Sequence, residues 1–154
     1  MNTLELADHG PVIPVIVIRR LQDAVPLARA LVDGGVRVLE VTLRTPVALQ
    51  CMEAIARAVP EAIIGAGTIR SAADARAARN AGCRFGVSPG YTREIGAACR
   101  EAGLPLLPGV ATAGEVMAHY GLAPPKPREK RRDALLKKAE RRLDGLLEAR
   151  RFWR

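Results

Sequence analysis

Residues 34–45 read GGVRVLEVTLRT. Within them Val36–Leu43 alternates: Val38, Glu40, Thr42 and Arg44 fall on one face of an extended chain, and Leu39, Val41 and Leu43 on the other. The reason is that successive side chains of a strand point to opposite sides. The Gly34-Gly35 pair just before it closes Gln22–Asp33, where apolar residues recur at helical spacing. A helix, a glycine stop and a strand follow one another within a few residues, and the chain repeats that rhythm as far as residue 120.

Toward the N-terminus, Pro11–Ile18 (PVIPVIVI) is a β-branched run of strand length. Toward the C-terminus, an Ala-rich helix is predicted near Pro46–Val59, then a third strand over Ala62–Ile69 (AIIGAGTI). Ser71 is placed to cap a helix reaching Ala81. A fourth strand, Arg84–Pro89 (RFGVSP), precedes a helix capped by Thr92 and ending at Ala102. A fifth, Leu104–Val110 (LPLLPGV), precedes a short helix from Thr112 to Tyr120. Strands alternating with helices in this way imply a parallel sheet covered by helices, either a (β/α)8 barrel or a doubly wound sheet. A closed eight-unit barrel takes at least about 200 residues, so the expected fold is α/β with about five units, an incomplete (β/α)8 barrel.

Beyond Leu122 the composition changes. Residues 1–125 hold 12 Arg and 11 acidic residues, whereas residues 126–154 hold 12 Lys or Arg and 5 acids, so most of the formal net charge of +8 belongs to the tail. All four lysines, 126, 130, 137 and 138, lie there. Pro124, Pro125 and Pro127 preclude a central strand, since proline supplies no ladder N–H. From about Arg131, the residues Leu135, Leu136, Ala139, Leu143, Leu146 and Leu147 recur at helical spacing among Lys and Arg. The organisation expected is a partial barrel over 1–122, a Pro-rich linker over 123–130 and a basic amphipathic helix over 131–154. That helix reads either as a packing or solubilising element or as an attachment to nucleic acid or an anionic membrane. The first 125 residues add no basic patch, so nucleic acid is not the expected partner.

Other classes are excluded by composition. The longest apolar run, Pro11–Ile18, is far short of the roughly 20 residues of a membrane span. No basic and apolar leader opens the chain, so a cytoplasmic protein is expected. Cys51, Cys83 and Cys99 are widely spaced and form no CxxC, which fits reduced thiols. His9 and His119 are not at metal-ligand spacing, and no metal is expected.

The polar row on the second strand carries the chemistry. In a barrel it points inward and rises toward the C-terminal rim, where barrel enzymes place their sites. A buried Glu is costly unless paired or used, so Glu40 with Arg44 reads as a functional pair, as an internal ion pair, or as a Glu with its Arg in solvent just past the strand. The third strand ends in Gly65-Ala66-Gly67-Thr68, either a tight turn or a rim hydroxyl with close backbone approach. It is not a dinucleotide fingerprint, because Arg70 stands where the third glycine belongs. Ser88-Pro89-Gly90 and Pro108-Gly109 end the next two strands with small residues around the same mouth.

The stretches GPVIPVIVI, AVPLARALVDGGVRVLEVTLRT, PEAIIGAGTI, FGVSPG and PLLPGVATAGEVM together resemble the 2-keto-3-deoxy-6-phosphogluconate (KDPG) aldolase family, also called 4-hydroxy-2-oxoglutarate (KHG) aldolase. The resemblance runs from about Gly10 to Leu122. It implies a (β/α)8 barrel, usually a homotrimer, acting in the Entner–Doudoroff pathway of carbohydrate metabolism. The implied activity is that of a Schiff-base (class I) aldolase, a carbon–carbon lyase that needs neither metal nor other cofactor. Its substrate would be 2-dehydro-3-deoxy-6-phosphogluconate, split to pyruvate and glyceraldehyde 3-phosphate, with 4-hydroxy-2-oxoglutarate as a second substrate. Carried over residue by residue, the resemblance makes Glu40 the general acid/base, Arg44 the holder of the pyruvate carboxylate, and Thr68 and Pro89 pocket-lining residues.

The family's Schiff-base lysine stands on a sixth strand, a few residues after a Tyr-Gly-hydrophobic segment like Tyr120-Gly121-Leu122. Counted on without gaps, Lys126 falls at that position, although Pro-Pro-Lys-Pro-Arg replaces the family's apolar and aromatic surroundings. An exposed linker lysine is the other reading of Lys126. Two alternatives stand beside the aldolase: a catalytically inactive, truncated or frameshifted remnant, and a binding module that works through its basic tail.

Overall fold

A computed structural model of the chain describes residues 5–6, 8–10 and 12–121. The expected linker over 123–130, the expected helix over 131–154 and Lys126 lie outside the described residues.

Five strands, β1 (Val15–Ile16), β2 (Val38–Thr42), β3 (Ile63–Gly67), β4 (Phe85–Ser88) and β5 (Leu106–Pro108), pair in the order β1-β2-β3-β4-β5. Every pairing is parallel. Five helices alternate with them: α1 (Ala24–Asp33), α2 (Ala48–Ala58), α3 (Ala72–Asn80), α4 (Arg93–Glu101) and α5 (Ala113–Tyr120), with a 3-10 turn at Leu21–Asp23 leading into α1. The described chain is thus an incomplete α/β barrel of five units, and the doubly wound alternative falls away because each strand neighbours its predecessor without reversal.

Caps and stops set the helix bounds. The side chains of Ser71, Thr92 and Thr112 accept hydrogen bonds from the backbone N–H groups of Asp74, Ile95 and Glu115, satisfying donors that a helix start leaves orphaned. Glu115 reaches back to the Thr112 N–H at 2.9 Å, closing a capping box. Gly35 (φ +87°) and Gly82 (φ +88°) turn the chain out of α1 and α3 through a left-handed conformation that other residues adopt only at a cost.

The first strand is much shorter than the run Pro11–Ile18 suggests. Pro14 has no N–H to give, and its carbonyl accepts from Glu40 N at 3.1 Å, so regular pairing begins only at Val15. Arg44 also departs from the alternating row: β2 stops at Thr42, and Arg44 lies in the turn beyond it.

Two apolar layers sandwich the sheet. The outer one packs helices against Leu39, Val41, Ile64, Ala66 and Leu106, with Ala75, Ala78, Cys51, Met52 and Ile55 on the helix side. On α3 the buried positions are the small residues Ala75 and Ala78. The inner layer is a compact floor of Leu6, Val38, Ile63 and Phe85, flanked by the partly buried Ile13, Val87 and Leu107. No helix among the described residues is long and apolar enough to cross a membrane.

Candidate active site

Glu40 shares its register row with Val15 on β1 and Gly65 on β3, and Thr42 pairs with Gly67. Paired residues of parallel strands face the same way, so Glu40 points to the inner side, above the floor made by Val38, Ile63 and Phe85. Glu40 is 9% exposed, and its side chain extends along the strand to lie over Gly67. Burial pushes its carboxyl above the ordinary glutamate range, and the charge of Arg44 draws it part of the way back. A carboxyl raised in this way is better matched to trading protons near neutrality.

Arg44 is exposed in the turn after β2. The ion pairs between described residues are Arg20–Asp23 and Arg57–Glu53, so no internal Glu40–Arg44 bridge forms within 4 Å. The guanidinium acts on Glu40 through space.

Thr68 follows β3 directly, with φ +67°, the one positive-φ residue other than glycine among those described. A β-branched residue there is strained, and such strain gathers at functional sites. The conformation also resets the alternation. By strict alternation Ile69 would face inward, yet it is fully buried in the outer core, and its N–H still reaches Val87 O at 3.0 Å. Thr68 is half-buried at the rim. The hydroxyls of Thr42, Thr45 and Thr92 are engaged with backbone groups, whereas that of Thr68 has no such bond among the described residues.

Ser88 ends β4 buried and donates to Gly90 O at 2.9 Å, holding the turn that presents Pro89, which is exposed. The rim closes in beyond it: Gly109 N donates to Ser88 O at 2.8 Å, and a Cβ at Gly109 would stand 2.8 Å from the Pro89 carbonyl carbon. Glu40, Arg44 and Thr68 therefore gather around the ends of β2 and β3, with Pro89 at the end of the next strand. A cavity of about 360 Å³ lies elsewhere, between α4, α5 and the start of β5, and none of these residues lines it.

Comparison with known proteins assigns the family. A family model described as KDPG and KHG aldolase matches residues 4–125. The chain belongs to that aldolase family. It is 51% identical over 115 residues to the KHG/KDPG aldolase of Escherichia coli K12, covering 73% of this chain and 54% of the relative. The KDPG aldolase of Zymomonas mobilis ZM4, solved with 3-phosphoglycerate, superposes with a TM-score of 0.72 at 47% identity, covering 77% of this chain and 56% of that one. That of Legionella pneumophila, solved with pyruvate captured as a covalent carbinolamine, superposes with a TM-score of 0.70 at 49% identity, covering 75% and 56%. The chain spans about half the length of the curated relatives it matches. A truncated remnant is not needed to account for the match, and the basic tail lies outside the described residues.

Reading from sequence selects Glu40, Arg44, Thr68 and Pro89 but passes over Gly67 as a residue in its own right. The signal was available: Gly67 is the inward-facing position beside the inward-facing Glu40 and Thr42, where a side chain would compete with a carboxylate for the same space.

Proposed function

We propose that the chain works as a Schiff-base aldolase on 2-dehydro-3-deoxy-6-phosphogluconate, releasing pyruvate and glyceraldehyde 3-phosphate, with 4-hydroxy-2-oxoglutarate as a second substrate. The observation that carries this reading is the Glu40 carboxyl, buried over Gly67 beside the barrel mouth and raised above its ordinary pKa. In this scheme the Lys126 amine adds to the keto carbon and, with loss of water, forms an iminium. Arg44 holds the neighbouring carboxylate with its paired N–H donors. Glu40 takes the proton of the C4 hydroxyl as the C3–C4 bond breaks, its electrons moving into the iminium to give an enamine. Glu40 then returns the proton to C3, and water hydrolyses the iminium to free pyruvate and the amine. Thr68 and Pro89 line the pocket, and the unengaged Thr68 hydroxyl is available to a substrate oxygen.

The homotrimer implied by family resemblance is supported by apolar side chains left exposed at Val12, Val110, Val116 and Tyr120. A reducing, cytoplasmic setting is supported by three buried free cysteines, of which Cys83 is pushed up to about 12 by burial. The test is reductive trapping: incubate the protein with pyruvate and borohydride, then locate the adduct by peptide mass mapping. A single adduct at Lys126, weakened in Arg44→Ala, is expected. No adduct, or labelling spread over Lys130, Lys137 and Lys138, would remove the assignment.

A further inference from the structure

We propose that Gly67 is the positioning residue of this site, a deliberate gap in the inner wall of β3 that seats the Glu40 carboxylate. Its catalytic consequence rests on the aldolase reading above, but the seat itself does not. The register places Glu40 opposite Gly65 and Thr42 opposite Gly67, so the Glu40 side chain rises one step along the sheet to lie over Gly67. A Cβ added at Gly67 would overlap Glu40 Oε1 and stand 2.9 Å from both Cδ and Cγ, and the three atoms nearest to it all belong to Glu40.

Backbone conformation does not account for this glycine. Gly67 is absent from the positive-φ glycines, which are Gly10, Gly35, Gly82, Gly103 and Gly121, so any residue could adopt its backbone. Glycine also weakens a strand that it occupies. Space is what remains to explain it, and the occupant of that space is a carboxylate. The other inward-facing glycine of β3 makes the contrast: a Cβ at Gly65 would run into the Phe85 ring, so Gly65 serves the apolar floor while Gly67 serves the acid above it. Nor can the seat drop away to admit a methyl group. Gly67 O accepts from Leu43 N at 2.9 Å, tying β3 to the end of β2, and the left-handed Thr68 follows at once. A side chain at position 67 must therefore move Glu40, lifting its carboxyl toward the open mouth and relieving the burial that raises its pKa.

A double-mutant cycle tests the seat directly: wild type, Gly67→Ala, Glu40→Ala and the double variant, compared by thermal midpoint. Gly67→Ala is expected to be less favourable in the wild-type background than when Glu40 is Ala, because only there must the flexible Glu40 side chain move aside. An equal shift in both backgrounds would overturn the proposal. Should Gly67→Ala fail to fold, a folded double variant supports the seat, and an unfolded one means the methyl strikes something else and refutes it.

The second readout is the Glu40 carboxyl titration followed by carbon NMR. Gly67→Ala should move it down toward an ordinary glutamate, while Gly90→Ala, where a Cβ meets nothing within 4 Å, should leave it in place. An unmoved titration in Gly67→Ala would also refute the proposal. For catalysis, Gly67→Ala should retain the trapped pyruvate adduct yet slow deuterium exchange at the pyruvate methyl by about 100-fold, the scale of a misplaced proton-transfer group. If the wild type traps no pyruvate, the aldolase reading fails, while the cycle and the titration still decide the role of Gly67.

Discussion

Glu40 is held by three neighbours of different kinds: the apolar floor beneath it, Gly67 under its carboxylate and Arg44 at a distance. Burial raises its pKa, so between the ordinary glutamate pKa of about 4.3 and the raised native value the folded state binds more protons than the unfolded one. Stability contributed by this group therefore falls as pH rises through that window and is gone above it. Glu40→Gln keeps the shape and removes the titration. Denaturant unfolding of both proteins from pH 4 to pH 8 should show the Gln variant gaining on the wild type as pH rises, then holding a constant lead. A difference that stays flat across the window would mean that Glu40 is not held in this environment. The presence of Glu40 on an inward face was legible in the sequence, since two-residue alternation fixes a side. The position of Arg44 was legible only as one of three readings, because alternation does not say where a strand stops; β2 stops two residues earlier, and Arg44 is exposed just past it.

Among the elements, the helices were more legible than the strands. Helix starts carry local chemistry, a hydroxyl that answers an N–H three residues on, and Ser71, Thr92 and Thr112 all do this. Ser71→Ala and Thr92→Ala should each cost about 1 kcal/mol in denaturant unfolding, and Ser71→Gly should cost only a few tenths of that. Losses below about 0.3 kcal/mol for both Ala variants would mean these hydroxyls do not cap. Strand ends depend on a neighbouring chain that the local sequence does not display. Pro11–Ile18 has the composition of an eight-residue strand, but only Val15–Ile16 pairs in the ladder with β2. The break in alternation at Thr68 was hidden for a related reason: AIIGAGTI reads as one continuous strand to Ile69, and only the packing of Ile69 into the outer core requires the left-handed residue before it.

At the scale of the whole described molecule, the five-unit sheet has a filled outer face and an inner face filled only along its floor. Phe85 is fully buried there, its ring lying against Gly65, while Val15, on the inner side of β1, is 59% exposed. The five-fold rhythm made the parallel sheet legible from sequence. The division of its inner face into floor and mouth was not, because Phe85, Gly65 and Val15 come from three separate units and meet only when the strands are set in register. That division predicts unequal costs. Phe85→Ala should destabilise by about 3–5 kcal/mol, since it deletes the largest fully buried side chain of the described residues. Val15→Ala should change stability by no more than about 0.5 kcal/mol. Both are read from chemical denaturation at several protein concentrations. A small loss for Phe85→Ala would mean the floor collapses around the gap and contributes little to holding Glu40 above it. A large, concentration-dependent loss for Val15→Ala would mean that another copy of the chain covers the mouth, which would close the approach to Glu40, Arg44 and Thr68.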